Sequence, residues 1–223
     1  MKDIILKNRL SAAASFVRRG SAIADVGTDH AWLPIYLLSK NIASRAVASD
    51  INEGPLCRAR INIPKSLQSK IELRLTDGLC GIEDFMADDI MICGMGGELI
   101  ARIIADAPFV KNEKTRLILQ PMTKAPYLRE FLLREGFEII DEKLALDDRI
   151  YQIICAEYRG VSELHTPLEL LLGRKNLERG GELLLEFARQ NVKIYEGIRA
   201  GKAAGGADTS HEDEILKGLK EIL

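Results

Sequence analysis

Over its first 160 residues the chain repeats one alternation: a short apolar run, a turn rich in glycine or acid, then a stretch with helical periodicity. The apolar runs fall at 22–26, 45–50, 71–75, 89–93 and 116–119. Helical spacing is expected over 3–19, 31–40, from about Pro55, over 98–105 and over 126–134. Strands separated by helices pair in parallel through crossovers, so the alternation restricts this region to a doubly wound α/β sheet. Two longer runs follow, 137–146 and 149–158. Only Asp147-Asp148 links them, so they are expected to form an antiparallel hairpin.

Five parallel strands closed by such a hairpin make the Rossmann-like seven-stranded sheet of methyltransferases; a plain dinucleotide fold has no closing hairpin. The pattern changes near residue 162. The expected division is a domain at 1–160 and a helical domain at 161–223. The second carries an apolar stripe at Leu177, Leu184, Ala188, Val192, Tyr195 and Ile198, a glycine-rich turn at 201–206, and a second stripe at Ile215, Leu216, Leu219, Ile222 and Leu223. This reads as an α-helical coiled-coil hairpin, weakened by Gly180-Gly181. Lys175, Arg179, Arg189, Lys193, Arg199 and Lys202 would suit RNA contact, and would equally suit a solvated helix face.

Bulk properties narrow the function classes. The chain has 223 residues, 47% hydrophobic, with a formal net charge of −2. No apolar run is long enough to span a bilayer, and the N-terminus lacks a signal peptide's apolar core, so the expectation is a cytoplasmic protein without membrane contact; a monomer is expected, though no residue pattern bears on it. Cys57, Cys80, Cys93 and Cys155 lack zinc-site spacing and the three histidines are scattered, so no metal is expected. The net charge does not announce a nucleic-acid binder. Two local stretches are basic: 1–20, with Lys2, Lys7, Arg9, Arg18 and Arg19, and 58–74, with Arg58, Arg60, Lys65, Lys70 and Arg74.

In a sheet of this kind ligands bind at the carboxyl ends of the strands. Those ends carry Asp25, Gly27, Thr28, Asp29 and His30; then Asp50 and Ile51; then Asp77 and Gly78; then Cys93, Gly94, Met95, Gly96 and Gly97. A dinucleotide fingerprint needs three glycines and a phosphate-friendly turn, but ADVGTDH has one glycine and an aspartate where the pyrophosphate would lie. S-adenosylmethionine (SAM) has no phosphate and carries a sulfonium and an ammonium, for which acids are favourable neighbours. Asp50 is suitably spaced to grip ribose hydroxyls, and Asp77 could accept from an adenine amino group. Any one of these acids could instead be a helix cap.

The ordered segments ADVGTDHAWLPI, ASDINEGPL, RLTDGL, ICGMGGELI and LILQP resemble the bacterial tRNA (adenine(22)-N1)-methyltransferase family over residues 1 to about 158, and the tail resembles that family's coiled-coil domain. The resemblance implies SAM-dependent methylation of N1 of an adenine in the D-arm region of tRNA. It implies cofactor contacts at Asp25, Gly27, Asp29, His30, Asp50, Asp77 and Gly94, with neighbouring Ile51 and Gly78, and at Arg9 for the SAM carboxylate. It makes the tail a tRNA-positioning element.

N1 of adenine carries an in-plane lone pair, and methylation leaves the base cationic, so a carboxylate beside it would stabilise the developing charge. Asp29 is the candidate, with the Gly94 backbone carbonyl meeting the base and Met95 packing on its face. Two rival readings follow from single features. Cys93 could be the nucleophile of a pyrimidine C5-methyltransferase, or a plain core residue. The fold could instead serve an NAD(P)-dependent oxidoreductase, against which the missing glycines speak.

Overall fold

The computed structural model describes residues 4–223. Met1–Asp3, with the start of the expected first helix and Lys2 of the basic stretch, lie outside the described residues. The chain divides into two compact units, through Glu163 and from Leu164.

The first unit is a seven-stranded sheet in the order β3-β2-β1-β4-β5-β7-β6. Its strands are β1 (Ala22–Val26), β2 (Arg45–Asp50), β3 (Ile71–Leu75), β4 (Asp89–Gly96), β5 (Arg116–Thr123), β6 (Phe137–Leu146) and β7 (Ile150–Tyr158). β1–β5 pair in parallel, and β7 inserts antiparallel between β5 and β6. Every residue of β1 is buried, as expected for a central parallel strand covered on both faces. The helices are α1 (Asn8–Ala14), α2 (Trp32–Ser39), α3 (Glu53–Asn62), α4 (Gly97–Ala105) and α5 (Ala125–Arg134). Strand order reverses between β1 and β4, which opens a crevice at their carboxyl ends.

Three local expectations change. The helix expected over 3–19 is confined to α1; Lys7 is extended (φ −59, ψ 152) and no N-cap side chain from its own segment serves α1. Asp147, in the β6–β7 turn, does that work: its carboxylate accepts from the N–H groups of Asn8 (2.9 Å) and Arg9 (3.1 Å). β4 runs on through the glycine-rich stretch to Gly96. Its register against β5 steps from Cys93↔Gln120 to Met95↔Pro121, which leaves Gly94, at φ +86, as the extra residue of a bulge. β5 continues through Gln120-Pro121 instead of stopping there.

In the second unit the single long helix expected over 167–200 is three: α6 (Pro167–Leu172), α7 (Arg174–Arg179) and α8 (Glu182–Ala204). Gly173, Gly180 and Gly181 sit at the breaks with φ of +90, +66 and +103, conformations glycine adopts without penalty. α8 and α9 (Ser210–Glu221) form an antiparallel hairpin, bridged by Arg199–Asp213, Lys202–Glu212 and Lys220–Glu196. α6 packs on α9, where a Cβ at Gly218 would come within 2.9 Å of Leu168. With Leu177 on α7 and α6 packed on α9, the apolar stripe spreads over more than the two helices of a simple hairpin.

Candidate active site

The β1 turn directs its first two N–H groups into the sheet. Gly27 and Thr28 both donate their backbone N–H groups to the carbonyl of Ser49 on β2, at 2.8 Å each. In a dinucleotide fold such groups face the pyrophosphate. Here they are spent inside the sheet, and the turn presents carboxylates to the crevice. Gly27 holds φ +78, a conformation that favours glycine, and a Cβ on it would displace the tip of Met95, whose Cε lies 2.1 Å from that position.

A cavity of about 740 Å³ opens at this turn. Asp25, Gly27, Asp29 and His30 line it from the turn, Cys93 and Gly94 from the β4 bulge, and Arg9 from α1. Ile4, Ile5 and Leu6 add an apolar wall that the helical expectation for this segment missed. Met95 packs its Cε against Gly27 and is not among the residues that line the cavity. The remaining expected residues lie at the ends of β2 and β3, outside the cavity lining. Asp50 Oδ1 accepts from the Asn52 N–H (2.8 Å), an Asx turn just ahead of α3, whose own N-terminus no side chain caps. Ile51 and Asp77 are exposed, and Gly78 turns at φ +57 beside Ile103.

The charged groups are held from a distance. Asp25 is buried; burial pushes its carboxyl up to about 6, against a hydrogen bond from the Thr28 side chain, while the Asp50 charge adds to the rise. Arg9 donates from Nη1 to Gln120 Oε1 (2.6 Å), and its guanidinium lies 5.7 Å from the centre of the Tyr151 ring. Asp29, on the outer lip, is clasped by Arg58 of α3 and lies 3.2 Å from His30 Nε2. Burial and the Asp25 charge push the Cys93 thiol up to about 12, with Arg9 opposing. Cys93 is thus a thiol at neutral pH and unsuited to nucleophilic attack.

Sequence reasoning missed Gln120, Asp147, Arg58 and Asn62. Gln120 left a trace as an amide closing an apolar run, Arg58 as one of a basic stretch and Asp147 as part of the hairpin link, but nothing local ties any of them, or Asn62, to this site. Among the described residues no cluster of three or more His, Cys, Asp or Glu could hold a metal, and no helix is long and apolar enough to cross a membrane.

The family described as "Methyltransferase domain" matches residues 6–154. The tRNA (adenine(22)-N(1))-methyltransferase of Bacillus subtilis is 40% identical over an alignment of 236 residues, covering 100% of this chain and 96% of the relative. The chain belongs to the tRNA (adenine(22)-N(1))-methyltransferase family. Two solved members agree in shape along nearly the whole chain. The B. subtilis m1A22 tRNA methyltransferase TrmK is 33% identical with a TM-score of 0.81, covering 98% of this chain and 95% of that one. TrmK of M. capricolum, in complex with S-adenosyl-homocysteine, is 27% identical with a TM-score of 0.80, covering 98% and 99%. Both units of the chain thus fall within the family's common plan.

Proposed function

We infer that this chain transfers a methyl group from SAM to N1 of an adenine in tRNA, at position 22 in the D-arm region. The full-length relationship to the B. subtilis enzyme carries the substrate. The cavity carries the cofactor class: the N–H groups of Gly27 and Thr28 are spent within the sheet, and the turn presents two carboxylates suited to a ligand with cationic centres.

SAM fits the residues present. Gly94 keeps a side chain off the cofactor's path beside Arg9, Asp25 and Asp29 complement positive charge, and Arg9 is the counter-charge for the cofactor carboxylate. Asp50, Ile51, Asp77 and Gly78 extend the same rim toward the ribose and adenine. When bound, SAM supplies a methyl group already activated by its sulfonium. The chain's work is then to orient a base against it, an entropic contribution, and to stabilise the charge that the base acquires. Asp29, on the outer lip with 64% of its side chain exposed, is the group for that charge. Gly94, unpaired in its bulge, is the backbone contact to the base, and Met95 packs against the turn at Gly27. The helical unit is a tRNA-positioning element, and the enzyme works as a cytoplasmic monomer.

Incubation with labelled SAM and unmodified tRNA, followed by mapping of the modified base, tests this reading. Label at adenine N1 is expected in the full chain. A chain ending at Glu163 is expected to keep SAM binding and to lose tRNA affinity. Label at a pyrimidine C5 would overturn the reaction, and unchanged tRNA affinity would overturn the tail's role.

Asp25 gives a pH-dependent prediction. Its folded-state pKa of about 6 exceeds the ordinary 3.8, so the folded protein binds more protons than the unfolded chain between those values. The stability it contributes is full below the lower value and is lost as pH rises through the higher one. Asp25→Asn is therefore expected to be more stable than wild type at neutral pH, by up to about 3 kcal/mol, and equal to it in acid. The same variant is expected to bind SAM on the order of tenfold more weakly, because the carboxylate facing the cation is gone. Melting curves across pH and calorimetric SAM titration read the two effects; a neutral-pH melting point below wild type would contradict the buried charge.

A further inference from the structure

α3 crosses the β1 turn with Arg58 and Asn62 one helical turn apart, so both side chains reach the same loop. Asn62 Nδ2 lies 3.2 Å from the backbone carbonyl oxygen of His30 and 3.3 Å from His30 Nδ1. A carbonyl oxygen only accepts, so Asn62 must turn its NH₂ group toward both atoms. Nδ1 is then an acceptor, and the ring proton resides on Nε2. That nitrogen is the one facing Asp29 Oδ2, at 3.2 Å. The other carboxylate oxygen, Oδ1, receives Arg58 Nη2 at 2.5 Å and Nε at 3.2 Å. Trp32 stacks against the imidazole, with ring centres 5.8 Å apart and planes 26° from parallel.

We propose that Arg58 and Asn62 are positioning residues for methyl transfer: Asn62 sets the His30 tautomer, and His30 and Arg58 together set the orientation of Asp29 at the cavity lip. The proposal rests on the reading that Asp29 serves the adenine. Folding energy does not explain the array. Asp29 is mostly exposed and Arg58 about half exposed, and exposed pairs contribute little to stability. What three donors on one carboxylate supply is a fixed direction, and orientation at a reacting centre has large kinetic value.

Ring-nitrogen NMR of histidine-labelled protein, in mildly alkaline buffer, reads the tautomer directly. His30 is expected to carry its proton on Nε2 in the wild type and to become a tautomer mixture in Asn62→Leu. In the same variant kcat on tRNA is expected to fall on the order of tenfold, with KM for tRNA and Kd for SAM within about twofold of wild type. Arg58→Met is expected to lose kcat similarly, and Arg58→Lys to recover most of it. A wild-type ring protonated on Nδ1 overturns the proposal without any variant. Unchanged kcat in both Asn62→Leu and Arg58→Met overturns it too, and leaves the role of Asp29 standing if Asp29→Ala is inactive. An Asp29→Ala enzyme at the wild-type rate overturns the role of Asp29 and the positioning role with it.

Discussion

Replacing Asp29 with alanine is expected to lower the methyl-transfer rate by about 10²–10³-fold, the usual loss when one preorganised group that stabilises transition-state charge is removed. Methylation at N1 converts a neutral base into a cation, and Asp29 is the carboxylate on the outer lip of the cavity. Asp25 is set deeper and cannot stand in: it is buried and its carboxyl is raised to about 6. The melting temperature should stay close to wild type, because the ion pair lost with Arg58 is solvent-exposed and such pairs contribute at most about 1 kcal/mol. SAM affinity should change far less than the rate. Single-turnover kinetics with unmodified tRNA, a thermal melt and a SAM titration separate the three quantities. A folded variant that methylates at the wild-type rate would remove Asp29 from the reaction.

Arg129→Ala carries the largest expected cost in stability, about 3–5 kcal/mol, the typical penalty for breaking a buried ion pair from one side. Arg129 on α5 and Glu142 on β6 meet at 2.6 Å with both side chains fully buried, and Arg129 Nη2 also donates to Gln152 Oε1 on β7 at 2.6 Å. Truncation leaves the Glu142 charge buried without its cation. For a chain of this length the loss corresponds to a fall in melting temperature on the order of 10 °C. A double variant, Arg129→Met with Glu142→Leu, is expected to lie much closer to wild type, because it removes both charges and keeps the volume. If the single and double variants melt together, the pair is not what ties α5 to the hairpin. The effect reaches the active site, since that hairpin carries Asp147, which caps α1 and so seats Arg9.

How much of the site could be read depends on how far apart its parts lie along the chain. ADVGTDH was legible because turn, glycine and acids are adjacent, and their order after an apolar run has few physical meanings. The glycine-rich stretch after Cys93 was legible as a place where glycine is needed, but the reason was not: Gly94 is the extra residue of a bulge, which exists only in the register against β5. The helix expected at 3–19 was too long because periodicity at Ile4, Ile5 and Leu10 looks the same whether those residues pack as a helix or as an extended wall over a cavity. The tail's helix was also too long, because a glycine pair lowers helix propensity without announcing a positive φ.

By itself the sequence determined the alternating α/β plan, the closing hairpin, the acid-bearing turn and the family, since each is written in residues close together. Only the tertiary structure decided what the turn can bind and what its charges do. The N–H groups of Gly27 and Thr28 are consumed by a carbonyl on the neighbouring strand, Asp25 is buried by the sheet around it, and Asp29 is clasped by α3, the helix that follows the neighbouring strand β2. Hydrogen-bond saturation, desolvation and ion pairing depend on distance in space, and no local pattern of residues encodes them.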